Sequence, residues 1–324
     1  MNEHRIRIYQ QGAPAVMQYE AITEPLPAPA RDQVLLRQEA AGLNFVDTMF
    51  RDGSFGVGLP FDMGVEAAGV VEAVGPGVAD FKAGDRAAYF FVPGAYASAR
   101  LVDTASLIKL PSDVTTLQAA AMLSKGLTAW MAVYGAHPVK PGEIVYVNGA
   151  GGGVGLLVAQ WAQALGATVI AAVASAEKVD SLRQQGFQHV VANNSPHFAQ
   201  DVTAATGGRQ VDVVYEFVGR ATFQQSLGIL KNGGRFVHIG NASGNPDVSS
   251  DALARRNIAY LRPSTPQYVN TPQSTQRAST ALFQAMRDGV FGKPVIARYP
   301  LAEAVRAHQD IAARRHQPFS VLVP

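Results

Sequence analysis

Apolar and polar residues alternate in short runs over residues 1–122. Arg5-Ile-Arg-Ile-Tyr9, Val34-Leu-Leu-Arg37, Gly69-Val-Val-Glu-Ala-Val74 and Arg86-Ala-Ala-Tyr-Phe-Phe91 carry the pattern, and Pro, Gly and Asp separate them, as in Pro25 to Pro29, Gly75-Pro-Gly77 and Lys82-Ala-Gly-Asp85. A period near two sends successive side chains to opposite faces of a sheet, so this part reads as a compact, barrel-like β domain. From about Thr115 the period lengthens. Leu117 to Val133 reads as a helix interrupted by Gly126, and strands then alternate with helices. The strands are Ile144 to Val147, Ala167 to Val173, Val190-Val191, Val211 to Tyr215, Gly234 to Ile239 and Ile258 to Leu261; the helices are Leu156 to Leu165, Glu177 to Gln185, Phe198 to Ala205 and Thr222 to Leu230. This alternation specifies a parallel sheet covered by helices on both faces.

Pro263 to Gln276 is polar and proline-spaced, which suits either a lid or a plain interdomain connection. A helix over Ala278 to Asp288 follows, then a helix start within Tyr299 to Asp310 and a final strand, Phe319 to Val323. That last segment is too short to build its own core, so it is expected to rejoin the β domain. The expected organisation is residues 1–122 with 264–324 as one domain, and residues 123–263 inserted in it.

The stretch Glu143-Ile-Val-Tyr-Val-Asn-Gly-Ala-Gly-Gly-Gly-Val-Gly155 carries the chemistry. A buried strand runs into five glycines within seven residues, and a helix follows. Strand, glycine turn and helix in that order begin a dinucleotide-binding unit. Glycine lets the backbone approach a pyrophosphate, and the helix N-terminus supplies N–H groups and partial positive charge for the anion. A tight turn without a ligand looks similar, so the flanking elements carry the reading.

Composition narrows the class. A chain of 324 residues with 48% hydrophobic and 16% charged residues has enough apolar content for about two compact domains. A net charge of +2 and only isolated basic pairs, Arg255-Arg256 and Arg314-Arg315, imply no polyanionic partner. There is no cysteine, which removes disulfides, thiolate metal sites and a catalytic thiol. The seven histidines are scattered without metal-ligand spacing, and no Gly-x-Ser-x-Gly elbow occurs. No signal-like apolar core or membrane-length apolar run appears, so a soluble cytoplasmic protein is expected.

Gly64-Val-Glu-Ala-Ala-Gly-Val-Val-Glu-Ala-Val-Gly-Pro-Gly-Val78, with the glycine unit downstream, resembles the medium-chain dehydrogenase/reductase superfamily. Its zinc alcohol dehydrogenases carry Gly-His-Glu-x-x-Gly; Gly64, Glu66 and Gly69 match, but Val65 stands where the zinc-ligating His would be. The chain is therefore similar to the zinc-independent branch, and within it to quinone oxidoreductases of the zeta-crystallin type. Gly42-Leu-Asn-Phe-Val-Asp-Thr48, Lys125-Gly-Leu-Thr128, Val214-Tyr-Glu-Phe-Val-Gly219, Ile239-Gly-Asn-Ala-Ser-Gly244 and Leu261-Arg-Pro-Ser264 extend the likeness over essentially all of the chain. The resemblance implies an α/β fold: a Rossmann doubly wound parallel sheet domain inserted into a GroES-like β-barrel catalytic domain. It also implies a homodimer joined at an edge of the nucleotide-domain sheet, with Gly234 to Ile239 as the candidate edge.

The cofactor is argued from residues first. An NAD-preferring site usually has Asp or Glu at the end of its second strand, to hold the ribose 2′-OH. Here that position reads Val173-Ala-Ser-Ala-Glu-Lys178, and the Ser175 hydroxyl and Lys178 ammonium suit a 2′-phosphate, whereas Glu177 is a first-turn residue expected to face solvent. The expected cofactor is NADPH, and related enzymes imply the same. The nicotinamide is expected where the two domains face each other. The resemblance places Asn44, Asp47 and Thr128 around it, and Gly152, Gly153, Val154, Val218, Gly240, Asn241, Arg262 and Arg314 along the cofactor. Asn193 stands where relatives have a Tyr, implying weaker adenosine contacts. Read as residues alone, Asn44 suits either a donor to a carbonyl or an Asx turn, Asp47 a helix cap, Arg262 a surface position, and Arg315 competes with Arg314. Glu66 is expected to pair with an arginine.

Met49 and Phe55 replace two pocket tyrosines of bacterial relatives, and Phe217 stands where a small or polar residue is usual, so the substrate pocket keeps apolar bulk and loses hydroxyls. The resulting expectation is an NADPH-dependent, zinc-independent reductase of quinones or related α,β-unsaturated carbonyls, with a small-molecule substrate and no metal. The alternatives are an alkenal or enoyl reductase of the same superfamily, or a non-catalytic NADPH-binding sensor or crystallin-like protein.

Overall fold

The computed structural model describes residues 3–324, so Met1 and Asn2 lie outside the described residues. The chain forms two compact units, residues 3–124 with 293–324, and residues 125–292.

The first unit opens with strands β1 (His4–Ile8), β2 (Gln18–Ala21) and β3 (Gln33–Gly42), the helix α1 (Phe45–Asp52), then β4 (Phe61–Asp62), β5 (Glu66–Val74), β6 (Arg86–Phe90), β7 (Ala99–Asp103) and β8 (Ile108–Lys109). The helix α2 (Thr116–Trp130) follows and runs on as a π-helical turn, Met131–Ala136. The second unit alternates β9 (Ile144–Asn148), α3 (Gly153–Ala164), β10 (Thr168–Val173), α4 (Val179–Gln184), β11 (His189–Ala192), α5 (Phe198–Ala205), β12 (Val211–Glu216), α6 (Phe223–Ile229), β13 (Leu230–His238), α7 (Ser250–Arg255) and β14 (Ala259–Leu261). It ends with α8 (Thr265–Tyr268) and α9 (Pro272–Arg287). The chain then returns to the first unit with β15 (Ile296–Pro300), α10 (Ala304–Ala312) and β16 (Phe319–Val323).

The alternating pattern of the first unit becomes two sheets, β2-β1-β4 and β15-β16-β3-β5-β6-β8, with β7 also paired to β3. The inward positions of β3 (Val34, Leu36, Ala41) and β5 (Ala67, Val71) meet Ile6, Ile8, Tyr89 and Tyr96 in one core. Burying each Val, Leu or Ile side chain of this core stabilises the fold by roughly 1.5–3 kcal/mol. β16 pairs antiparallel with β3 through Val321–Gly42 and Leu322–Ala41, which is how the C-terminal segment rejoins this unit.

The second unit is a six-stranded, all-parallel sheet of order β11-β10-β9-β12-β13-β14. Every residue of β9 is buried, as expected of a strand covered on both faces. The strand order reverses between β9 and β12, and the carboxyl ends of strands at such a switch point are where this fold takes ligands.

Four expectations change. The return to the β unit comes at residue 293, not at 264, because α9 packs in the second unit, its Leu282 side chain lying where a Cβ on Gly126 would sit, at 2.4 Å. That close approach is also why Gly126, expected to interrupt α2, lies inside it. The proline-spaced segment after Pro263 is helical over most of its length and not irregular. Ser264 and Thr271 each open a capping box, with Pro266 and Pro272 in the first turns of α8 and α9. The stretch 234–239, expected as a sheet edge, lies within β13 and its continuation, paired on one side to β12 and on the other to β14. Among the described residues the sheet ends at β11 on one side and β14 on the other. Among the described residues no helix is long and apolar enough to cross a membrane.

A buried polar chain crosses the first unit from α10 to α1. Arg51 Nη1 donates to His308 Nδ1 (3.1 Å), His308 Nε2 meets the Tyr96 hydroxyl (3.2 Å), and that hydroxyl donates to Asp47 Oδ2 (2.9 Å). These partners assign the neutral Nε2–H tautomer to His308. Burial, with the nearby Arg51 charge, pushes its pKa down to about 3. The unfolded chain therefore takes up a proton below the usual histidine pKa that the folded chain refuses. Stability is full above about pH 6.5 and falls as the pH drops towards 3. Urea unfolding should show a loss through His308 of about 2 kcal/mol between pH 7 and pH 5. His308→Gln should flatten that part of the slope, and an unchanged slope would remove His308 as its source.

Candidate functional site

The glycine turn of the second unit begins where β9 ends. Gly149 has φ of 85°, a left-handed conformation that suits glycine, and its N–H and that of Ala150 both reach Ala172 O on β10 (3.1 and 3.0 Å). Gly152 then caps α3 in an extended conformation, so the N–H groups of Gly153, Val154 and Gly155 stand in the first turn without intrahelical acceptors. A Cβ on Gly155 would lie 2.3 Å from Gly149 O, so the turn closes on itself only with glycine there. A Cβ on Gly151 or Gly152 would meet nothing nearer than 3.6 and 3.4 Å, so the turn is bare at those two positions. Bare backbone beside a helix N-terminus fits a dinucleotide pyrophosphate.

The neighbouring segments lie close to this turn. A Cβ on Gly149 would sit 3.2 Å from Phe217 Cβ and 3.6 Å from Val218 Cγ2, and one on Gly240 would sit 2.4 Å from Phe217 O. Thus Val218, Gly240 and Phe217, all partly buried or approached closely by the backbone, come together beside the glycine turn. At the tip of β10, Ser175 caps the short turn Ala176–Lys178, and Lys178 N donates to Ser175 O (3.1 Å). Lys178 and Glu177 are exposed, and the Ser175 hydroxyl holds the Glu177 carboxyl below its usual pKa. No acidic side chain stands at Ser175 itself. Thr128 Oγ1 is 2.8 Å from Thr265 Oγ1, which ties α2 to α8. Arg262 is exposed and donates to Asn245 Oδ1 (3.0 Å), while Asn241 is partly buried in the turn that follows Gly240. His238 bridges the Tyr260 hydroxyl (2.6 Å) and Gly240 O (3.0 Å), and burial, with the Arg262 charge, lowers its pKa.

Two buried residues that lie inside quoted motifs but were given no role there, Glu216 and Asn148, hold this region. Glu216, at the end of β12, accepts from Asn148 Nδ2 (2.8 Å to each oxygen), Ser226 Oγ (2.7 Å), Thr222 Oγ1 (3.1 Å) and the N–H groups of Val218 (2.8 Å) and Gly219 (3.1 Å). Asn148 Oδ1 in turn accepts from Asn193 Nδ2 (2.7 Å), and Asn193 Oδ1 accepts from the Tyr146 hydroxyl (2.9 Å). The signal that was available is an acid ending an apolar strand, where an unpaired charge would be costly.

In the first unit, Asn44 caps α1 and forms a capping box with Asp47, whose Oδ2 accepts from Asn44 N (2.8 Å). The spacing Asn44-x-x-Asp47 is the signature by which sequence could have found this helix. Asp47 is fully buried, and its carboxylate is used by the cap and by Tyr96, so it positions Asn44. Asn44 Nδ2 donates to Glu66 Oε2 (2.7 Å), and Glu66 Oε1 accepts from Ser124 N (2.6 Å). Met49 is partly buried on α1; Phe55, 44% exposed, packs on Phe50 with ring centroids 4.9 Å apart. Arg314 is exposed in a left-handed conformation (φ 55°) just after α10, while Arg315 pairs with Asp310 at 3.1 Å. Val65 is buried, and no group of three or more His, Cys, Asp or Glu able to hold a metal occurs among the described residues.

Known proteins match this arrangement. Residues 30–112 match the alcohol dehydrogenase GroES-like domain and residues 153–280 the zinc-binding dehydrogenase family. The chain is 38% identical to a quinone oxidoreductase of Pseudomonas aeruginosa, covering 99% of both chains, and 38% identical to a 2-haloacrylate reductase of a Burkholderia species, covering 98% of both. The solved structure of Escherichia coli quinone oxidoreductase complexed with NADPH superposes with a TM-score of 0.93 at 36% identity, over 99% of this chain and all of that one. A Rossmann sheet inserted in a GroES-like β unit, joined to full-length likeness of this degree, places this oxidoreductase in the zinc-independent quinone oxidoreductase family of the medium-chain dehydrogenase/reductases.

Proposed function

We propose that the protein is an NADPH-dependent reductase of quinones or related α,β-unsaturated carbonyls. The observation that carries the cofactor choice is the tip of β10, where position 175 is a serine that caps a turn presenting Lys178, and the exposed Glu177 carboxylate that takes the Ser175 hydroxyl turns to solvent when a 2′-phosphate binds. The NADPH complex of the E. coli relative supports the same reading. Gly152, Gly153 and Val154 hold the pyrophosphate through first-turn N–H groups, and Ser175 and Lys178 hold the 2′-phosphate. Val218, Gly240, Asn241 and Arg262 line the rest of the dinucleotide on the α/β unit, and Thr128 orients the nicotinamide end. Arg314 is an exposed cation of the β unit.

When bound, NADPH supplies the hydride from its nicotinamide C4. On the β unit, Glu66 fixes the Asn44 amide, which orients the carbonyl or carboxamide oxygen it meets. Asp47 holds the N-cap in place, and Met49 and Phe55 offer apolar bulk to the acceptor. Solvent supplies the proton.

The test is turnover of purified protein with NADPH and three acceptors: a para-quinone, an alkenal and an enoyl thioester. The expected result is NADPH oxidation that depends on the quinone or the alkenal. Oxidation with none of the three, alongside tight NADPH binding, would replace this reading with that of a nucleotide-binding sensor.

A further inference from the structure

We infer that Glu216, Asn148 and Asn193 form a positioning network that sets the glycine turn for the cofactor, and that Asn193 acts through Asn148 rather than by direct contact with adenosine. The inference rests on the NADPH reading above. Asn148 is the last residue of β9 and precedes Gly149, so its side chain controls where the turn starts. It is fully buried, as is Glu216, and the two residues are register partners across β9 and β12, the strands at the switch point of the sheet.

Each polar atom has a defined use. The Asn148 amide nitrogen serves Glu216 and Thr222 Oγ1 (2.7 Å), and its oxygen serves Asn193. Asn193 is held at four points: its oxygen by Tyr146, its amide nitrogen by Asn148 Oδ1, its N–H by Val173 O (2.8 Å) and its carbonyl by Gln225 Nε2 (3.2 Å). Glu216 also accepts through its main-chain oxygen from Ile239 N (2.9 Å) and Gly240 N (3.1 Å). One carboxylate residue thus joins the ends of β9 and β12, the 217–219 turn, the start of α6 and the turn at Gly240. Through Asn148 it reaches the end of β11. These are the segments that would line the cofactor. Buried networks of this kind are stiff when every member is satisfied and loosen when one is removed.

A double-mutant cycle on NADPH affinity tests the inference, using Asn148→Ala, Asn193→Ala and the double variant, with binding read by nicotinamide fluorescence and folding by thermal melting of the unliganded proteins. Asn193→Ala should raise the Kd by about tenfold, the net effect of losing one well-placed hydrogen bond to the turn, and Asn148→Ala by at least as much, because it gives up the bonds to Glu216, Thr222 and Asn193. The double variant should bind no more than about twofold worse than Asn148→Ala alone, because Asn193 has then already lost its route to the turn. Additive losses would show that Asn193 meets the cofactor itself and would overturn the inference. Lower melting temperatures with unchanged Kd values would overturn it too, by making the network purely structural. Should the alanine variants fail to fold, Tyr146→Phe removes a single oxygen at nearly constant volume and should still raise the Kd two- to threefold, about half a hydrogen bond's worth; no change would count against the network. Wild-type protein that binds no NADPH would overturn the cofactor reading and this inference together.

Discussion

Gly155→Ala is expected to weaken NADPH binding on the order of 100-fold, equivalent to ~2.7 kcal/mol. The added Cβ would lie 2.3 Å from Gly149 O and 2.8 Å from Gly149 C, both backbone atoms of the turn itself, so the strain cannot be relieved by rotating a side chain. Either the turn opens or α3 shifts, and the overpacking should also cost about 1–3 kcal/mol of folding stability. Gly151→Ala provides the contrast. Its Cβ would meet nothing nearer than 3.6 Å, so the unliganded protein should melt within a degree or two of wild type. Binding should change by no more than about twofold, because the open space beside Gly151 takes the methyl without moving the turn or the N–H groups of the first turn of α3. Isothermal titration with NADPH measures both. A large loss of affinity in Gly151→Ala would show that the ligand needs bare backbone at that position, and normal affinity in Gly155→Ala would mean that the turn tolerates the displacement.

Exchanging the residues at the tip of β10 should reverse cofactor choice. In Ser175→Asp with Lys178→Glu, a hydroxyl and a cation become two carboxylates, which repel a 2′-phosphate and accept from a ribose 2′-OH. Lys178 is exposed, so solvent screens its share, and the combined shift in the NADPH to NADH ratio of kcat/KM is expected on the order of 100-fold. Raising the ionic strength should reduce the NADPH preference of the wild type and leave NADH use nearly unchanged. A double variant that still prefers NADPH would move the 2′-phosphate site away from Ser175 and Lys178.

The sheet of the α/β unit was legible because its strands are short apolar runs between helices of regular period, a pattern that Ile144 to Val147 and Val211 to Tyr215 show without reference to anything distant. The glycine turn was legible for the same local reason. Three features depended on partners far along the chain. Gly126 looks like a helix breaker until Leu282 is seen to fill the space beside it. The position of β13 depends on β14 pairing beyond it, and no local pattern states which strand ends a sheet. The Glu216 network joins residues from 146 to 240, and its side-chain members are separately ordinary polar residues.

The candidate residues divide in a related way. Gly152, Gly153 and Val154 were recognisable from their motif, and Ser175 and Lys178 from their place after a strand. Asp47 carried a role that its helix explains better than its charge does, since the capping box and Tyr96 occupy its carboxylate. Asn193 stood out in sequence only as a departure from relatives, whereas its four hydrogen bonds tie it to the scaffold around the glycine turn.

The central claim is that the protein moves a hydride from NADPH to an activated double bond. Its most direct test uses NADPH deuterated at C4 of the nicotinamide and an enone acceptor, with mass and NMR analysis of the product, using each C4 diastereomer in turn. The account predicts that one diastereomer delivers a single deuterium to the β-carbon and that the other delivers none. Product free of deuterium from both diastereomers, or no NADPH oxidation with either the enone or a para-quinone, would contradict it.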